Sequence, residues 1–327
     1  MYRSAIGRPL MRTVVVACVL VLITVSNLQA NHGPGASGGG SSTVSGETLK
    51  PGHFEISLRE DFSKFEHFST SEAIRHAQKS GDFDALDHGF LTSLELAYGI
   101  TENFQIGGGI GYFAGDDFLS ADAEGGGPVE TSHTNPHGFT DLSLIAKYRV
   151  LQGWTGNVAL IGGVIFPTGD DDVRLENGEL LSPTDQPSTG RWGFPVGIGY
   201  SRFLTPRITL DASAIYTFRL ERDGIKVGDR LDTGVALAYR LTESIKTFPQ
   251  YSVFLEANDV FLQKDEVDGD SEPNSGGNTL YLTPGVRVRL SPLAAITVAP
   301  SVPVWQELNG DQGKVDFKVA ITMSFSF

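Results

Sequence analysis

The chain has 327 residues, a formal charge of −14, 39 glycines and a single cysteine, Cys18. An acidic surface argues against nucleic acid, whose phosphates are bound by Lys and Arg. One cysteine excludes an intramolecular disulfide framework, and abundant Gly with 10% aromatics suits a β-rich chain with many turns.

The first 30 residues read as an export signal. Arg3, Arg8 and Arg12 precede an apolar run from Val14 to Val25, and Ala30 offers a small residue for cleavage. Removing residues 1–30 would take away Cys18 and three arginines, leaving 22 − 39 = −17. No later segment approaches 18 consecutive apolar residues, so no membrane-spanning helix is expected. Residues 31–52 are rich in Gly and Ser, too polar to fold alone, and read as a disordered leader.

From residue 53 to 327 a period-2 pattern recurs twelve times, at about 53–65, 88–100, 103–114, 138–150, 155–167, 190–203, 206–218, 229–241, 249–261, 278–290, 294–305 and 314–327. In the last, Val315, Phe317, Val319, Ile321, Met323, Phe325 and Phe327 share one face, while Asp316, Lys318, Thr322, Ser324 and Ser326 share the other. The connections alternate in length. Those at 66–87, 115–137, 168–189, 219–228, 262–277 and 306–313 are long and polar, and the five between them are short. A sandwich has no reason to sort its loops in this way. The expected fold is all-β, a single antiparallel transmembrane β-barrel of twelve strands, with long loops outside and both termini in the periplasm. Tyr98, Tyr112, Tyr148, Trp192, Tyr200, Tyr239 and Trp305 sit toward strand ends on the apolar face, as interfacial girdles require.

The polar face carries charges whose height follows from strand direction. Asp141, Asp232 and Asp316 fall near the outer mouth. Lys147, Arg149, Arg240, Arg287 and Arg289 fall near the periplasmic end, with Glu95, Asp211 and Glu256 between. Charges face inward only where water or a partner receives them. They could line a pore with an acidic entrance and a basic exit, or form a salt-bridge network filling a narrow lumen.

Some stretches resemble a known family. Gly138-Phe139-Thr140-Asp141, Ala146-Lys147-Tyr148-Arg149, Val164-Ile165-Phe166-Pro167-Thr168-Gly169-Asp170 and Gln186-Pro187-Ser188-Thr189-Gly190 are similar to the outer-membrane barrel family associated with the meta-pathway of phenol degradation. That resemblance implies a transporter of small, often hydrophobic compounds and supplies no particular ligand. The final strand, ending on Phe325 and Phe327, also resembles the signal that barrel-assembly machinery reads. Expected partners are outer-membrane lipid, lipopolysaccharide, that machinery and a small solute. The alternative is a structural or loop-binding barrel with a filled lumen.

All seven histidines lie at or before residue 137, so no strand from the fourth onward offers a His for a catalytic set, and no enzyme is expected. His67, His76, His88, His133 and His137 fall in the first two outer loops or their rims, beside Asp82, Asp84, Asp87, Asp116 and Asp117. They are weak metal candidates, because their spacing matches no compact motif. Polar loop composition, with acids that bridge lipopolysaccharide through divalent ions, explains these residues better. No cofactor is expected.

One seam stands apart. The outward faces of the tenth and eleventh strands align if Ser291-Pro292-Leu293 forms the turn, pairing Leu290 with Ala294 and Val288 with Ile296. Pro284 then stands opposite Pro300, with Pro303 further toward the outer rim. A local loss of pairing and a side exit to the bilayer are expected there.

Overall fold

The computed structural model describes residues 40–123, 128–244 and 246–327. The signal expected over residues 1–30 and the first part of the leader, 31–39, lie outside the described residues. Twelve long strands close on themselves as an antiparallel barrel. They are β1 (Phe54–Phe65), β2 (Asp82–Thr101), β3 (Phe104–Asp122), β4 (Leu142–Gly153), β5 (Gly156–Phe166), β6 (Gly193–Thr205), β7 (Ile208–Arg219), β8 (Arg230–Arg240), β9 (Gln250–Leu262), β10 (Gly277–Arg289), β11 (Ala294–Leu308) and β12 (Val315–Ser326). Each pairs with its sequence neighbours. β12 closes the ring on β1, where Phe54 and Phe327 exchange two backbone hydrogen bonds at 3.1 and 2.8 Å.

Alternation decides which side of the wall each residue faces. Leu144, Leu160, Ile198, Leu237, Leu255, Val286 and Ile321 are exposed on the outside all round the ring. A closed apolar belt of this extent is buried only by lipid hydrocarbon. Facing inward are Ser93, Gln105, Lys147, Ser201, Asp211, Thr217, Glu256 and Thr297, all buried.

Two departures from the expected boundaries shape the outer end. β2 starts at Asp82 and β3 continues to Asp122, several residues beyond their expected limits, so this hairpin rises well above the belt. A helix, α1 (Thr70–Ser80), folds within the first outer loop. The Ser69 N–H donates to Glu72 Oε2 (3.0 Å) at its start, and Gly81, at φ 100°, returns its N–H to Ala77 at its end. Ala73 and Ala77 pack on Phe83, Ala85, Leu119 and Ala121 of the hairpin, forming a small apolar core outside the membrane.

Candidate functional site

The leader provides the main correction to the sequence reading. Its Gly/Ser composition predicted a disordered tail through residue 52, yet Ser41, Thr43, Val44 and Ser45 are buried within the barrel. The segment enters from the short-turn end. There the Leu49 N–H donates to Gln105 Oε1 (2.8 Å) and the Thr48 hydroxyl to the Glu102 carbonyl (2.8 Å). It then crosses the lumen. Gly46 donates its N–H to Ser201 Oγ (2.8 Å) and Val44 to Ser213 Oγ (3.1 Å). The segment has too little apolar surface to fold alone; the wall supplies the partners its backbone needs.

Its upper end wraps a charge. Ser41 donates its N–H to Glu256 Oε2 (2.8 Å), Ser42 to both carboxylate oxygens (2.9 and 3.1 Å), and Thr43 to Oε1 through both N–H and hydroxyl. Successive backbone N–H groups converging on one carboxylate form an anion nest, here built around a side chain of the barrel itself. Gly40 is needed for close approach, since a Cβ there would lie 2.6 Å from Glu256 Oε1. Basic wall residues donate to the segment's carbonyls. Arg287 reaches Gly40 O (2.7 Å), Arg59 reaches Ser41 O (3.1 Å) and Lys147 reaches Ser45 O (3.3 Å). Glu256, Arg287 and Lys147 thus each hydrogen-bond to the leader.

The remaining lumen candidates divide by height. Asp211 accepts the Ser201 hydroxyl beside Gly46, and Glu95 faces the lumen from β2. Asp232 forms an ion pair with Arg230 (2.5 Å), matched across the barrel by Arg59 with Asp61 (2.6 Å). Arg149 hydrogen-bonds to Asn103 and to the Glu102 carbonyl at the inner turns; Arg240 reaches the Pro206 carbonyl (3.0 Å), and Arg289 the Pro292 carbonyl (3.0 Å). These three brace turns. Asp316 is exposed at the outer end of β12.

Asp141 belongs to a clasp that joins the motifs of the central third. It accepts N–H groups from Thr168 (3.1 Å) and Gly169 (3.2 Å) and the Ser188 hydroxyl, while Asp170 accepts the Phe139 N–H (2.6 Å). A Cβ on Gly169 would lie 2.4 Å from the Thr140 carbonyl carbon, so glycine is required where these strands meet. This clasp directs residues 167–192 back over the barrel mouth. Leu175 and Leu181 bury against Phe118 of β3, and the Glu176 N–H donates to the His133 carbonyl (3.0 Å).

Between this roof and the leader lies a chamber of about 660 Å³. Ser42 forms part of its floor, beside Thr283, Ser301 and Ala320; Asp185 and Asp265 belong to its roof. Burial raises the Asp185 carboxyl well above the ordinary range, and neighbouring Asp84 and Asp265 add to the shift. Asp265 is raised by the same cause.

The histidines are spread along the outer rim. His67 and His88 share Asp87 (3.0 and 2.8 Å), His76 meets Asp311 (2.8 Å), His133 meets Asp117 (3.3 Å) and His137 meets the Asn135 carbonyl (2.8 Å). Among the described residues, no group of three or more His, Cys, Asp or Glu side chains is arranged to hold a metal ion. Phe325 and Phe327 are exposed on the lipid face at the inner end.

At the β10–β11 seam, Val288 pairs with Ile296 and Val286 with Val298, then pairing resumes only at Leu282 with Val302. Pro284 and Pro300 occupy the gap, directly opposed. Beyond it, the register shifts between Leu280 and Tyr281, where Tyr281 pairs with Pro303 and Leu280 with Trp305.

No curated protein sequence matches the chain significantly. Among solved structures, the chain is similar to the COG4313 outer membrane channel from Pseudomonas putida F1. The identity is 14%, the match covers 86% of this chain and 97% of that one, and the TM-score is 0.58. The P. putida toluene transporter TodX aligns at 9% identity over 92% and 99% of the two chains, TM-score 0.43. The NanC porin aligns at 9% identity over 83% and 98%, TM-score 0.46. The first of these shows the barrel fold. Residues 33–301 match Phenol_MetA_deg, described as the MetA-pathway of phenol degradation, and the chain belongs to that family.

Proposed function

We propose that this protein is an outer-membrane channel for passive passage of small solutes, including hydrophobic or aromatic ones. The observation that carries this reading is the roofed chamber of about 660 Å³ inside a lipid-facing barrel, floored by a short leader held through hydrogen bonds. A packed apolar core would have made the barrel a scaffold. A chamber walled by ion pairs and hydroxyls, with one removable segment beneath it, can admit and release solutes. Export would depend on residues 1–30, and insertion on recognition of the strand ending at Phe325 and Phe327. The outer acids would meet lipopolysaccharide through divalent cations. No catalytic role is assigned.

The density of contacts between leader and wall favours a second reading, a structural barrel permanently filled. Planar-bilayer recording separates the two. Glu256→Gln removes the negative charge that three consecutive N–H groups converge on, and replaces one acceptor oxygen with a donor. Under the channel reading, conductance steps are small in the parent chain and larger in the variant. Absence of steps and of liposome swelling in both chains would establish the filled barrel.

A further inference from the structure

The roof of the chamber carries a charge that the fold does not balance. Asp185 sits on a turn that is firmly held. Its own N–H and that of Gln186 both donate to the Ser182 carbonyl (2.9 and 3.2 Å). The Gln186 side chain then ties Val173 to Leu181, accepting the Val173 N–H (2.9 Å) and donating to the two carbonyls (2.9 and 3.0 Å). The carboxylate at this fixed position lines the chamber. Burial is the largest cause of its raised carboxyl, yet among the described residues it has no hydrogen-bond or ion-pair partner.

Two more carboxylates approach it from separate elements, Asp84 from the outer extension of β2 and Asp265 from the loop after β9. Both have some support. Asp265 accepts the Gly228 N–H (2.7 Å) and has Arg219 and Arg191 nearby, and Asp84 accepts the Ser120 hydroxyl. The Oδ1 atom of Asp84 is nevertheless sealed from solvent without a partner. An enclosed acceptor left unpaired is costly, and like charges in a poorly hydrated site add to that cost. The cations that line the chamber are engaged elsewhere. Arg59 pairs with Asp61 (2.6 Å) and Arg230 with Asp232 (2.5 Å), Arg219 donates to the Gly228 carbonyl (2.6 Å), and Lys318 lies 4.8 Å from the centre of the Tyr281 ring.

Beside these acids the wall is apolar. Leu86, two residues along β2 from Asp84, converges with Phe113 and Pro136 on Gly115, where an added Cβ would lie 3.0, 3.1 and 2.9 Å from them. Gly89 gives the Phe113 ring a second close seat, 2.9 Å from where its own Cβ would stand. Leu86, Phe113 and Pro136 all line the chamber. Two glycines thus seat an aromatic and aliphatic surface next to the unpaired carboxylate.

We infer that this corner of the chamber binds solutes that join an apolar ring to a protonated amine, and that Asp185 recognises the ammonium group. This rests on the channel reading and names a solute class for it. An ammonium offers three donors and one positive charge. It gives the Asp185 carboxylate the partner that the fold withholds, and its charge offsets the repulsion from Asp84 and Asp265. The ring, laid on Leu86, Phe113 and Pro136, leaves water. A neutral solute of the same shape leaves the acids unpaired, and an anionic one adds a further negative charge.

The test uses three probes of one shape: 2-phenylethylamine, 2-phenylethanol and phenylacetate. Each is titrated calorimetrically into the full barrel, leader included, at neutral pH, and planar-bilayer conductance is recorded on the same preparation. The amine is expected to bind about tenfold more tightly than the alcohol, the difference made by a hydrogen bond to a charged group, and phenylacetate not measurably. Asp185→Asn should bring the amine down to the affinity of the alcohol. Phe113→Ala should weaken both and keep their ratio. Heat-dependent gel mobility checks that each variant is folded. Equal affinities for amine and alcohol, or a preference that survives in Asp185→Asn, overturn the amine site, while conductance steps in the parent chain keep the channel reading. Absence of binding and of conductance together overturns both. Because the Asp185 carboxylate lacks a partner, Asp185→Asn should also raise the thermal midpoint of the solute-free barrel. A lowered midpoint would mark a structural charge and count against the site.

Discussion

The β2–β3 hairpin and the β10–β11 hairpin are built to the same plan and differ in how firmly they are joined. Across β2–β3, pairing runs from Asp82–Asp122 down to Thr101–Phe104, with its one register shift at the inner turn between Gly99 and Thr101. β3 carries Gly107, Gly108, Gly109 and Gly111 at mid-height, each weak as a strand former, and the ladder still holds. Across β10–β11, two opposed prolines suffice to interrupt it. Glycine costs a strand entropy but keeps its N–H, whereas proline removes the donor itself. In hydrocarbon the second loss is the larger, because water cannot replace the missing bond. The lesson is that the strength of a barrel wall is set by donor continuity more than by propensity.

The comparison can be broken by moving a proline. Leu94 pairs with Leu58 on one side and Ile110 on the other. Leu94→Pro leaves an acceptor unpaired within the belt, a cost of several kcal/mol. Assembly should fail, or the urea midpoint of unfolding should drop sharply. The reverse change, Pro284→Val, should stabilise the barrel by about 1 kcal/mol, the usual net worth of a hydrogen bond. Equal midpoints for the two variants would show that the seams do not differ.

Hydrogen exchange sharpens the same contrast without mutation. The amides that flank the gap and point across it, Leu282, Val286, Val298 and Val302, should exchange several-fold faster than those of Leu91–Ala97. Protection at the proline seam matching that of β2 would mean that packing alone seals it.

This seam was legible in the sequence because it follows from two local rules, side-chain alternation and the length of a turn. Val286, Val288, Ile296 and Val298 had to face the same way, and only one register allows that. The twelve strands were legible for the same reason. Helix α1 was announced by Ser69 and Glu72, a capping pair that period-2 reading passes over. The leader was not legible. Its fate depends on Glu256, Arg287, Arg59 and Lys147, which stand on four different strands. Nothing local to Gly40–Ser45 says that those charges converge on it. Arg59 itself was missed as a lumen residue, although alternation along β1 sets it beside Ser57 and Asp61 on the inner face. Composition describes what a segment can do alone, and here the deciding partners were long-range.

The smallest expected effect concerns pH and touches only one of the two walls. Asp87 stands on the outer extension of β2, where Lys64, His67 and His88 surround it and Asp116 lies beyond His88. The Lys64 hydrogen bond, helped by those to His88 and His67, lowers its carboxyl to about 2 from an ordinary 3.8. A depressed carboxyl stabilises the fold fully above its ordinary value, and that contribution is lost as pH falls toward the folded value. Between pH 5 and 2 the link from the end of β1 to β2 should therefore weaken. After correction for the intrinsic rate, exchange of the amides in Glu66–Ser80 should accelerate across this window, and the step should be smaller in Asp87→Asn, where the Glu72 cap still titrates. Over the same window the proline seam should not respond, since Thr283, Pro284, Gly285, Ala299, Pro300 and Ser301 carry no group that titrates. A step at the seam matching that at Asp87 would mean that the two walls open together, and that the barrel yields as one body instead of at its weakest joint.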